Sequence, residues 1–117
     1  LNVFCHSTAD WEKAGELFRP LPVSLAQGIP NNFEVSPPGV DKGRGLEMLC
    51  RKIGIPVEQA IAVGDEGNDL EMVQTAGLGV AMGNAVDEVK AIADEITADN
   101  DHDGIAESLY RHIPELV

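Results

Sequence analysis

Ala60-Ile61-Ala62-Val63-Gly64-Asp65-Glu66-Gly67-Asn68-Asp69 decides how this chain folds. Its first four residues are a short continuous apolar run, the pattern of a strand buried on both faces as in parallel sheets. Gly64 closes the run, and residues 64–69 pack three acids and two glycines into a strand-to-helix turn. Downstream, residues 69–76 read as a helix ended by Gly77, 78–82 as a second buried strand and 86–93 as a helix. A short strand at 95–97 and a last helix at 104–112 complete a βαβαβα order. That alternation predicts parallel strands, right-handed crossovers and helices on both faces.

Upstream, Leu46, Leu49, Cys50 and Ile53 recur at i, i+3, i+4 and i+7 from Lys42 onward, a helix stopped by Gly54 and Pro56 whose apolar stripe should face the sheet. Ser36-Pro37-Pro38-Gly39 marks a hinge, because two prolines deny amide donors. Before it, residues 1–6 read as a strand and Ser7 or Thr8 can cap a helix through Arg19 carrying Trp11, Ala14, Leu17 and Phe18 at helical spacing. Residues 23–26 and 32–35 read as two more strands. The fold class is therefore α/β: a β-rich piece over residues 1–38, then half of a doubly wound, Rossmann-like parallel sheet over residues 39–117.

Composition bounds the function. The chain has 117 residues, 44% of them hydrophobic, with eight Lys+Arg against 20 Asp+Glu and a net charge of −12. It has the apolar content for a core. Between Glu58 and Glu107 stand thirteen acids and one base, Lys90. Such a surface repels phosphate backbones, so nucleic acid is not an expected partner. No run approaches the roughly 18 apolar residues of a membrane span, and residues 1–10 lack the pattern of a signal peptide. The expected location is cytoplasmic. Cys5 and Cys50 have no CxxC partner and His6, His102 and His112 no zinc spacing, so neither a disulfide framework nor a zinc site is expected.

In a doubly wound sheet ligands bind beyond the carboxyl ends of the strands, which puts chemistry in the 64–68 loop. Asp65 at the strand end is a hard oxygen ligand suited to magnesium, a metal held by one or two carboxylates plus water and substrate phosphate. Asn68, at the expected N-cap of the next helix, can meet an anion such as phosphate. Asp69 can brace neighbouring groups. Lys42 opens a helix after the hinge and can reach the same side of the sheet, where an ammonium neutralises phosphate charge. A rival motif is Asp99-x-Asp101-x-Asp103-Gly104, the opening of an EF-hand calcium loop, although its twelfth position is Tyr110 rather than Glu. On that reading the chain is a noncatalytic, calcium-responsive acidic module.

Three runs occur in order: Gly39-Val40-Asp41-Lys42-Gly43, Gly64-Asp65-Glu66-Gly67-Asn68-Asp69, and Gly79-Val80-Ala81-Met82-Gly83-Asn84-Ala85, followed by Asp103-Gly104-Ile105-Ala106. This series resembles the C-terminal part of haloacid dehalogenase-like phosphatases of the Cof type, over residues 35 to about 113. The resemblance implies magnesium-dependent hydrolysis of phosphate monoesters of small metabolites. It makes Lys42 a phosphate-contacting catalytic lysine, Asp65 a catalytic, magnesium-binding aspartate, Asn68 a phosphate contact and Asp69 a supporting acid. Residues 1–35 would end the cap domain that screens substrates. The family's nucleophile lies in an Asp-x-Asp motif on an amino-terminal strand, with a Ser/Thr motif after it, and neither precedes the cap here. The chain, which starts at Leu1 rather than Met, is thus expected to be a fragment that is inactive alone. In the family the nucleophile strand lies beside the strand that here is 60–63, so that edge should stand unpaired. Such an apolar edge predicts either self-association or cover by residues 1–35.

Overall fold

The computed structural model describes residues 1–116. Its first layer is a small antiparallel sheet of β1 (Asn2–Phe4), β2 (Ser24–Ala26) and β3 (Asn32–Ser36), ordered β1-β3-β2. Between β1 and β2 runs α1 (Thr8–Phe18), whose N-cap Ser7 accepts a hydrogen bond at Oγ from the Asp10 amide at 3.2 Å. Alternation along β3 sends Phe33 to one face, where Trp11 stacks on it at 4.9 Å and Phe18 lies tilted at 6.4 Å. Glu34 and Ser36, on the opposite face, stand across from Ala26 and Ser24 of β2. The first strand is shorter than its apolar pattern of six residues.

After the hinge come α2 (Lys42–Ile53), β4 (Ile61–Gly64), α3 (Leu70–Thr75), β5 (Leu78–Ala81), α4 (Asp87–Ile92), β6 (Glu95–Ile96) and α5 (Gly104–His112). Strands β4, β5 and β6 are parallel and in that order. The α/β class with a parallel, Rossmann-like sheet and a small β-rich piece at the amino end is the one the sequence pattern predicts. Helices cover both faces. A Cβ on Gly79 would meet Val73 of α3, so that side of β5 faces α3. Val80 points the other way and shares its face with its register partner Glu95, whose carboxylate meets Ser108 and His112 of α5. The core gathers Val73, Ala81, Met82, Ala85 and Val89. Burial of Val73, Val80 and Val89 is essentially complete, each contributing about 2 kcal/mol.

Two local expectations are corrected. The stripe on α2 is covered only in part: Cys50 is buried and Leu46 half-buried, but Leu49 is 54% and Ile53 56% exposed, and the helix packs on α3 rather than on the sheet. The close approach to α3 is at Gly43, where a Cβ would lie 2.6 Å from the Glu71 carbonyl oxygen. Missing that atom lets α2 lie close against α3 at Gly43. Second, the helix after β4 starts at Leu70, preceded by a 3-10 turn over Gly67–Asp69. Asn68 lies inside that turn and is not an N-cap. Among the described residues no strand pairs with the outer edge of β4, and the small sheet lies at the loops beyond the strand rather than along that edge. No helix among these residues is long and apolar enough to cross a membrane.

Candidate active site

The carboxyl end of β4 is organised around Asp69. Its Oδ1 accepts from Lys42 Nζ at 2.5 Å, and its Oδ2 accepts from the amides of Asp65 at 3.0 Å and Glu66 at 3.2 Å. One buried carboxylate thus folds the loop back on itself and ties it to the first residue of α2. Gly64 is required for this: a Cβ there would sit 2.5 Å from the Asp69 Cβ. Asp41, next to the lysine, accepts from the Arg44 amide at 2.8 Å and so starts α2 where Lys42 can reach across.

Burial pushes the Asp69 carboxyl up, but the Lys42 hydrogen bond, the two amides and the lysine charge outweigh it and hold the group below the usual 3.8. A carboxyl depressed in the folded state stabilises the fold above its unfolded value, and that contribution is lost as pH falls through the folded one. Asp69→Asn is expected to cost about 1–2 kcal/mol at neutral pH, discounted for the half-exposed lysine. The difference should shrink as pH falls below about 4, toward the lowered folded-state value. Urea denaturation of both proteins across this range checks it; a difference constant with pH would contradict the ion pair's role.

Asp65 is half-buried, and its Oδ2 accepts from Asn84 Nδ2 at 3.1 Å. Asn84 is held in turn, its Oδ1 accepting from the Asn100 amide at 3.0 Å. Asn68 turns Nδ2 to Glu34 Oε2 of β3 at 3.5 Å, and with Lys42 lines a cavity of about 450 Å³ between the small sheet and the core. The structure thus brings Lys42, Asp69 and the Asp65 loop into one network and sets Asn68 on the cavity beside it. It adds Asn84 and Glu34, to which sequence reasoning assigned no role. Asn84 stands in the turn after β5, at the carboxyl end of the neighbouring parallel strand, a place the same topological rule marks. The signal for Glu34 was the alternation that buries Phe33.

The donor set fits magnesium in part. Asp65 offers a hard carboxylate with one oxygen beyond the Asn84 bond, as suits a metal that keeps most of its waters. Asp69 is already spent on the lysine and two amides. Among the described residues no group of three or more His, Cys, Asp or Glu side chains is placed to hold a metal. The Asp99 loop lends no support to calcium binding. Asp99 Oδ1 lies 2.5 Å from His102 Nδ1, a hydrogen bond that holds the acid below its usual 3.8, and also accepts from the Asp101 amide at 3.0 Å.

The sequence pattern of the haloacid dehalogenase-like hydrolases matches residues 2–109, and the chain belongs to that family. The 5-amino-6-(5-phospho-D-ribitylamino)uracil phosphatase YcsE of Bacillus subtilis is 42% identical over 97 residues, 83% of this chain and 39% of that protein. The chloroplastic endoribonuclease YBEY of Arabidopsis thaliana is 42% identical over 89 residues, 76% of this chain and 15% of that protein. The structure of a haloacid dehalogenase-like hydrolase from B. subtilis superposes with a TM-score of 0.87 at 35% identity, covering 96% of this chain and 39% of that one. The chain therefore spans well under half the length of these relatives.

Proposed function

We propose that this chain is the cap end (residues 1–38) and the phosphate- and magnesium-binding half (residues 39–117) of a Cof-type phosphatase that hydrolyses phosphate monoesters of small metabolites. The observation that carries the reading is the bond from Lys42 to Asp69 beside Asp65, at the carboxyl end of β4, in a chain of this family. In the proposed site Lys42 and Asn68 take the phosphate oxygens. Asp65 holds magnesium, which when bound offsets the charge of the transferring phosphoryl group. Asp69 positions both: it aims the lysine and fixes the loop amides from which the Asp65 side chain projects. The nucleophile comes from residues that this chain does not contain. Turnover by Asp65→Asn and Lys42→Ala forms of the intact phosphatase tests the assignment.

Free Cys5 and Cys50 suit a reducing, cytoplasmic location. The open β4 edge carries apolar residues 60–63 and no charge or proline, so the isolated chain is expected to self-associate through it. Light scattering should give a mass that rises with concentration; a strict monomer whose Ile61 and Val63 amides exchange like those of a loop would overturn this.

A further inference from the structure

Resting on the phosphatase reading, we infer that Glu34 selects the leaving group of the substrate, favouring neutral or cationic polyhydroxy groups and rejecting those that carry a second acid. The cavity that Lys42 and Asn68 open onto is roofed by the polar face of the small sheet. Phe33 and α1 occupy the other face, so the register of β2 and β3 leaves Ala26, Ser36 and Glu34 looking toward the core. Glu34 is the charged side chain that the small sheet contributes to this lining. It stands within 3.5 Å of Asn68, so a phosphate held by Lys42 and Asn68 has its ester group beside this carboxylate.

Lys42 supplies the positive charge of the lining, and it is already matched to Asp69. Glu71 and Asp41 line the core side, the latter with its carboxylate committed to the α2 cap. A second phosphate or a carboxylate on the leaving group would meet acids and no free cation. Adjacent hydroxyls, or an ammonium, would instead satisfy the lone pairs of Glu34, and a site built to hydrogen-bond a substrate rejects analogues that leave its polar groups unpaired. Like charge against the wrong ligand adds discrimination that attraction alone does not supply.

The test uses the intact phosphatase with ribitol phosphate, phosphoglycolate and p-nitrophenyl phosphate. The parent is expected to prefer ribitol phosphate over phosphoglycolate by roughly tenfold or more in kcat/KM. Glu34→Gln should raise KM for ribitol phosphate about tenfold more than for p-nitrophenyl phosphate, and Glu34→Lys should reverse the preference between ribitol phosphate and phosphoglycolate. Calorimetric titration gives a readout apart from turnover: Glu34→Gln should weaken ribitol phosphate more than inorganic phosphate. Equal losses for all three substrates would make Glu34 a latch to Asn68 and overturn the proposal, as would unchanged preferences. Failure of the parent to hydrolyse any of the three would instead remove the phosphatase reading, and the Glu34 assignment with it.

Discussion

Purified alone, the 117-residue chain is expected to release phosphate from no monoester above the uncatalysed background. In the proposed mechanism a carboxylate attacks phosphorus while cations offset charge, and the two contributions are not interchangeable. Lys42, and a magnesium ion held by Asp65, would position a phosphate and offset its charge, but the ammonium is hydrogen-bonded to Asp69 and the aspartate would be spent on the metal, so neither supplies the nucleophile. Loss of a covalent nucleophile typically removes several orders of magnitude in rate. A malachite-green assay with magnesium and a panel of monoesters checks this. Magnesium-dependent release that Asp65→Ala abolishes would show that the chain carries a complete site.

Much of the fold is legible before any coordinates because its strands are short apolar runs bounded by glycine. Ile61–Gly64 and Leu78–Ala81 pair in parallel at the places the pattern marks, and α2 opens at Lys42 and stops at Gly54 as the pattern has it. What the pattern misplaces is governed by contacts that periodicity does not encode. The apolar stripe of α2 names Leu46 and Cys50 correctly as inward, but the close approach of α3 at Gly43, which has no apolar side chain to signal it, lies outside the stripe. Asn68 follows an acidic turn like an N-cap, yet Asp69 takes the loop amides itself and tightens the turn into a 3-10 segment. Lys42 and Asp65 could be named from their motifs. Glu34 could not, because its role depends on how the small sheet sits over the core, a relation between segments 34 residues apart.

On the proposed function, Asp65→Asn and Lys42→Ala in the intact protein should each lower turnover by roughly a hundredfold or more, the loss typical of removing a metal or cation clamp from a transition state. The two variants should fail differently. Asp65→Asn can keep the Asn84 contact through its amide oxygen while losing the charge that attracts a cation, so its defect should respond to magnesium concentration. Lys42→Ala leaves Asp69 with its two amides but no cation, so part of its loss should appear as reduced stability, and saturating magnesium should not restore the rate. Asp69→Asn should lie between them, since it loosens the lysine and the loop together.

Magnesium dependence of phosphate release, compared between the intact protein and its Asp65→Asn form, reads the role proposed for Asp65. If Asp65 holds the metal beside Lys42, the variant should need at least roughly tenfold more magnesium for half-activation, and its maximal rate should stay depressed. Superimposable magnesium curves with equal maximal rates would contradict the account, and would leave Asp65 as nothing more than the acid that closes a turn onto Asn84.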